Sequence, residues 1–230
     1  MDRAASFAKV RRRLDDVDVL AFDRAGYASR VDEAPPAPRV AGDARDLLDR
    51  LGGEPAVVVG HSYGGHVALA AAVERPDLIR SVAIYETPLA WADWWPPDTS
   101  GGRAVEVVRA GGSPAEAAET FMRSIVGDRV WERLPPSTKE ARRLEGPALL
   151  ADMHDIRAAA PYDAAAVRVP VVIGCGAESK GQHRLGTDAW RALLPHARVT
   201  IIEGAGHGAH LSHPDAFADL ARSALDYAET

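Results

Sequence analysis

The sequence predicts an α/β fold, a mostly parallel sheet covered by helices on both faces. Three observations carry that reading. Short β-branched apolar runs alternate with amphipathic helical patterns along the chain. The stretch GHSYGG at 60–65 sits directly after one of those runs, where a buried strand would turn into a helix. Residues 91–166 interrupt the alternation with helical patterns and no convincing strand.

The chain has 230 residues, 47% hydrophobic and 26% charged, which fits one soluble domain with a sizeable core. A net charge of -6 argues against a nucleic-acid or anionic-membrane surface, so neither partner is expected. Arg11, Arg12 and Arg13 form the one basic cluster and read as the solvated face of a short helix. The single cysteine, Cys175, excludes an intrachain disulfide framework and agrees with a reducing, cytoplasmic setting. No apolar signal region opens the sequence, and no run approaches the roughly 18 apolar residues of a membrane span.

Taken in order, residues 17–22 (VDVLAF), 56–59 (AVVV), 81–85 (SVAIY), 169–173 (VPVVI) and 199–202 (VTII) read as buried strands. Val40, Ala44, Leu47, Leu48 and Leu51 recur at helical spacing between the first two. HVALAAAVERP supplies the helix after GHSYGG. Phe217, Leu220, Ala221, Ala224 and Leu225 mark a last helix that Pro214 starts. Residues 1–90 and 167–230 are expected to build the core. Residues 91–166 are expected to form a helical cap insertion over the strand ends, with Ser113-Pro114-Ala115-Glu116 as a capping box. Trp91, Trp94, Trp95 and Trp131 fall in that insertion, as packing residues or as the lining of an apolar pocket.

In GHSYGG, small residues around Ser62 let the chain bend sharply and stand the hydroxyl clear of the sheet. The serine is either part of a tight turn or a nucleophile. A nucleophilic serine needs a histidine base and an acid to orient it. His207 is the candidate base, in the glycine-rich loop EGAGHGAH after the last strand. The backbone N–H of Tyr63, at the helix start, is the candidate oxyanion donor. His207, His210 and His213 recur every three residues, but Gly206, Gly208 and Pro214 break the regular helix that a metal cage at this spacing needs. No metal and no cofactor are expected, and His210 and His213 read as locally satisfied loop groups. Gly174-Cys175-Gly176-Ala177-Glu178-Ser179 lacks the third glycine of a dinucleotide loop.

Over nearly its whole length the chain resembles the α/β-hydrolase family. The matching pieces are FDRAGYASR, VVVGHSYGG, VPVVIGCGAES and VTIIEGAGHGAHLSHPDAF, with serine before histidine. The resemblance implies an eight-strand sheet, a helical cap after the sixth strand and a Ser-His-acid triad. Many relatives carry the acid in the loop where this chain has Ser179, which has no charge to offer an imidazolium. Glu178 lies one residue away. Other relatives place the acid just after the sixth strand, where SVAIYETP offers Glu86, and Glu86 is the expected acid. Asp23 matches the family's structural aspartate, and Ala28 stands where relatives usually have glycine.

The family also has three strands before the one expected at 17–22, the third of which ends in a loop donating a second oxyanion N–H. Without that strand, 17–22 and 56–59 face a gap whose unpaired backbone groups cost about 1–3 kcal/mol each when buried. Three expectations fit: a start upstream of Met1, direct closure of the two strands, or a relative without hydrolase activity. The leading function is a serine hydrolase acting on a small-molecule carboxylic ester or similar acyl substrate through Ser62, His207 and Glu86. An acyltransferase or cofactor-free perhydrolase would use the same triad, and a non-catalytic relative would bind a small apolar ligand. Oligomeric state is not legible.

Overall fold

The computed structural model describes residues 1–229. Helix α1 (Ala8–Arg11) follows a 3-10 turn at Ala4–Phe7, and α2 spans Arg39–Leu51. Then β1 (Ala56–His61), α3 (Tyr63–Glu74) and β2 (Ile79–Tyr85) alternate. Five helices follow: α4 (Ser100–Arg109), α5 (Pro114–Val126), α6 (Asp128–Arg133), α7 (Pro136–Arg143) and α8 (Gly146–Ala158). The chain closes with β3 (Val171–Gly176), α9 (Gly181–Leu193), β4 (Arg198–Ile202), α10 (Ala209–Ser212) and α11 (Pro214–Tyr227).

The four strands pair in parallel in the order β1-β2-β3-β4. Every strand-to-strand return crosses by helix, as parallel pairing demands. Ala83 and Tyr85 of β2 join Val172, Ile202, Phe217, Leu220 and Ala221 in one buried cluster that also takes Val10 and Leu14. The alternate residues Val82 and Ile84 are equally buried on the opposite side of the pleat. Helix α3 packs on β1 and β2, and nine of its residues from Tyr63 to Ala72 are buried. The sheet is therefore covered by helices, as expected.

Two expectations are corrected. Among the described residues the sheet has four strands, where the sequence pattern reads five and the full family sheet has eight. Residues 17–22 form no strand. Extended backbone becomes a strand only when a neighbour supplies ladder hydrogen bonds, and none is made to this segment. Instead Val17 and Val19 pack against the cluster beneath α1 and α11, while Leu20 is 59% exposed.

The chain divides into two compact units. One comprises Ala4–Phe22, Val40–Leu89 and 160–229, and contains the sheet. The other comprises Met1–Arg3, Asp23–Arg39 and Ala90–Ala159. The second unit has its own apolar centre, Ala104, Ala117, Ala118 and Leu149. Ser113 caps α5 reciprocally with Glu116, through Ser113 N to Glu116 Oε2 at 2.6 Å and Glu116 N to Ser113 Oγ at 3.2 Å. Trp131 is fully buried and donates Nε1–H to Glu119 at 3.1 Å, a packing role. A buried ionic knot also holds this unit together. Asp152 accepts from Arg24 (2.6 Å), Arg39 (2.6 Å) and the Tyr27 hydroxyl (2.6 Å). Asp23 serves locally, accepting the Ser29 hydroxyl at 2.7 Å.

Candidate active site

Every site residue predicted from the sequence lies at the C-terminal ends of the parallel strands, within the sheet-bearing unit. Ser62 follows β1 directly, at φ 54° and ψ -124°, a conformation that L-residues avoid. Its N–H donates to Tyr85 O at 2.8 Å, which pins the turn to the neighbouring strand. Two glycines make the bend possible. A Cβ on Gly60 would run into the backbone of Gly64 and Gly65, and one on Gly65 would run into the Thr87 side chain. Gly64 faces open space, so the steric demand falls on Gly60 and Gly65. Tyr63 opens α3, where peptide N–H groups have no intrahelical acceptor. The Ser62 hydroxyl makes no hydrogen bond among the described residues; such bonds commonly tighten only when substrate arrives.

Glu86 follows β2, as Ser62 follows β1, and the register His61↔Tyr85 sets the two side by side. It too is strained, at φ 48°. Its side chain is fully buried and each oxygen is engaged. Oε2 accepts from His207 Nδ1 at 2.8 Å. Oε1 accepts from the Gly176 N–H at 2.9 Å and from the Ser179 hydroxyl in a short contact. Burial alone would raise this carboxyl. The His207 hydrogen bond, the neighbouring imidazoles and Ser179 outweigh it and hold it down at about 2. An ionised carboxylate can only accept, so the proton sits on His207 Nδ1 and leaves Nε2 as the basic atom.

The loop carrying His207 is tied down on several sides. The Tyr85 hydroxyl donates to Gly206 O at 2.9 Å, and His61 Nε2–H donates to His207 O at 2.7 Å. Glu178 N donates to Ala205 O at 2.9 Å, and Gly176 admits the Ala205 carbonyl at a distance that no Cβ would allow. The His207 ring lies between two other imidazoles, 4.6 Å from the ring of His61 and 4.6 Å from that of His183, stacked at 20° on the latter. Burial, with the His207 imidazole beside it, pushes His183 down to about 3, so it is neutral near pH 7.

The structure thus brings Glu86 onto His207, whose ring contacts that of His61, the residue immediately before Ser62. Glu178 is exposed, and its carboxylate makes no hydrogen bond or ion pair among the described residues. His210 is buried and stacks on Phe7 at 4.8 Å, and His213 pairs with Ser212 at 2.9 Å, so both are locally engaged. Sequence reasoning missed the parts played by Ser179, His61 and His183. An uncharged donor in the family's acid position was a usable signal for Ser179. Nothing in GQHRLG singled out His183. Of the groups here, Glu86, His183 and His207 have the donor atoms to hold a metal ion.

The chain matches the Alpha/beta hydrolase family over residues 3–220 and belongs to that family. It is 25% identical over 201 residues to an sn-1-specific diacylglycerol lipase of Mus musculus, covering 80% of this chain and 63% of the relative. It is 27% identical over 193 residues to the polyketide synthase ThaQ of Burkholderia thailandensis, covering 78% of this chain and 9% of that much longer protein. The chain thus spans less than two thirds of either relative. Among solved structures, a hydrolase from Pseudomonas aeruginosa superposes with a TM-score of 0.73 at 23% identity, covering 97% of this chain and 85% of the other. A thermophilic esterase from Thermogutta terrifontis gives a TM-score of 0.71 at 22% identity, covering 99% and 87%. Similarity at that level fixes the fold. No helix among the described residues is long and apolar enough to cross a membrane.

Proposed function

We propose that the chain is a serine hydrolase that cleaves a carboxylic ester or similar acyl substrate through Ser62, His207 and Glu86. The observation that carries this reading is the ionised Glu86 carboxylate held on His207 Nδ1, beside the strained turn that presents Ser62. Ser62 Oγ attacks the acyl carbon while His207 Nε2 takes its proton. Glu86 keeps the imidazole in the tautomer that can accept it and stabilises the imidazolium that results. The Tyr63 N–H donates to the oxyanion of the tetrahedral intermediate. Collapse of that intermediate expels the alcohol, which takes the proton from Nε2 and leaves Ser62 acylated. Water, deprotonated by the same nitrogen, then releases the acid and restores the hydroxyl. The lipase and esterase names among the similar proteins favour an ester.

Labelling by a fluorophosphonate probe tests the proposal. Stoichiometric labelling that disappears in Ser62→Ala is the expected result. A folded protein that takes no label, or labels equally without Ser62, would overturn it.

A further inference from the structure

His183 has no part in the proton relay from Ser62 to Glu86, yet its Nδ1 lies 3.6 Å from Glu86 Oε2, the same oxygen that His207 Nδ1 reaches at 2.8 Å. All three donor atoms lie within 4.8 Å of one another. A tetrahedral Zn²⁺ with bonds of about 2.0–2.2 Å holds neighbouring donors about 3.4 Å apart. These three come into place once the His183 ring, stacked at 20° on His207, turns out of the stack and both lone pairs converge on the ion. Two imidazoles and a carboxylate are also a donor set that zinc and its late first-row neighbours favour, whereas Mg²⁺ and Ca²⁺ prefer oxygen alone. The supporting shell is already built. Gly176 N–H and the Ser179 hydroxyl hold Oε1 and leave Oε2 to face the histidines. A packing role against His207 would be met by any flat ring; an imidazole adds a ligand atom.

We propose that Glu86, His183 and His207 bind a late first-row divalent cation, and that its binding switches the catalytic histidine off. The inference rests on the Ser62–His207–Glu86 reading for its consequence, and on the donor geometry alone for the binding. A metal on His207 Nδ1 takes the position of the Nδ1 proton. The neutral ring then carries its single N–H at Nε2, by exchange through solvent, with no net loss of a proton. Nε2 is the atom that must accept the Ser62 proton, so the metal-bound ring is the wrong tautomer for catalysis. Glu86 is drawn from the imidazole to the metal in the same step, and the fourth position is left to water. The metal is an inhibitor here, not a participant in ester cleavage.

The experiment uses metal-free full-length protein, Co²⁺ as the spectroscopic probe and Zn²⁺ as the functional one. The wild type is expected to bind one Co²⁺ per chain with the intense visible bands of a tetrahedral site. Those bands should vanish in His183→Phe, which keeps a stacking ring and removes the ligand. Zn²⁺ should block fluorophosphonate labelling of the wild type, EDTA should restore it, and Mg²⁺ should have no effect. In His183→Phe, blocking should need about tenfold more Zn²⁺ or beyond, each protein being referred to its own labelling in EDTA. If circular dichroism shows His183→Phe unfolded, His183→Gln takes its place. Absence of the Co²⁺ bands in wild type, or bands and Zn²⁺ sensitivity unchanged by the substitution, would overturn the proposal. Failure of both proteins to label in EDTA would instead sink the hydrolase reading, and the Co²⁺ spectrum would still decide the metal site.

Discussion

The Ser179 hydroxyl donates to Oε1 of Glu86 while the other oxygen of that carboxylate holds His207. Ser179 sits in the loop after β3 and Glu86 in the loop after β2, so two adjacent strand ends divide one task between them. One supplies the charge and the other a donor that keeps the charge in place.

The division of labour predicts an asymmetry between the two glutamates. Glu86→Gln should lower kcat by about 10³–10⁴, because a neutral amide no longer stabilises the imidazolium or selects its tautomer. Glu178→Gln should stay within severalfold, since that side chain is exposed and its carboxylate makes no hydrogen bond or ion pair among the described residues. Steady-state rates on a p-nitrophenyl ester decide it, and the reverse pattern would reassign the acid.

Ser179 is a positioning residue, and Ser179→Ala should behave as one. Loss of a hydrogen bond to a charged group costs about 1.5–3 kcal/mol, which raises the Glu86 carboxyl by about one to two pH units. We expect kcat to fall about tenfold with KM little changed. The acid limb of the stability profile should move upward. An unaltered profile would mean that the hydroxyl only fills space.

Stability should also depend on Glu86 in a definite pH window. Its carboxyl lies at about 2 in the folded protein against 4.5 for the free side chain. A group depressed on folding contributes stability above the unfolded value and loses it as pH falls toward the folded one. The wild type should therefore lose about 3 kcal/mol more than Glu86→Gln between pH 6 and pH 2, by urea midpoints. Asp152, also depressed by its arginines against the opposing effect of burial, acts with the same sign but is present in both proteins. Equal losses in the two proteins would contradict the assignment.

The ionic knot of the helical unit should be far more sensitive than any surface pair. Asp152→Asn leaves the buried Arg39 and the largely buried Arg24 short of a counter-charge and should cost about 3–5 kcal/mol. Asp215→Asn, which breaks an exposed pair with Arg13, should leave Tm unchanged. Thermal denaturation followed by circular dichroism separates the two, and similar Tm values would show the knot to be dispensable.

Much of this architecture was legible because it is written in local periodicity. The runs at 56–59, 81–85, 169–173 and 199–202 became β1 to β4 within two residues at their N-terminal ends. The helical spacing of Val40 to Leu51, the Ser113 capping box and the Pro214 start all appear where their patterns put them. The same reasoning failed at 17–22. β-Branched residues favour a strand, but only a neighbouring backbone makes one, and a propensity cannot report whether that neighbour exists. Ala28 taught the opposite lesson. Its φ of 46° lies in the left-handed region, which gives a physical reason for the glycine usual in relatives.

The sequence by itself determined the family, the strand-to-helix turn at Ser62 and the loop that carries His207, because each depends on residues adjacent in the chain. Only the tertiary structure decided which polar groups meet. Glu86, Ser179, His183 and His207 lie as much as 121 positions apart and converge because parallel strands bring all their C-terminal ends to one edge. That convergence fixes the charge on Glu86 and the proton on His207 Nδ1, since both depend on burial and on partners that no local pattern encodes.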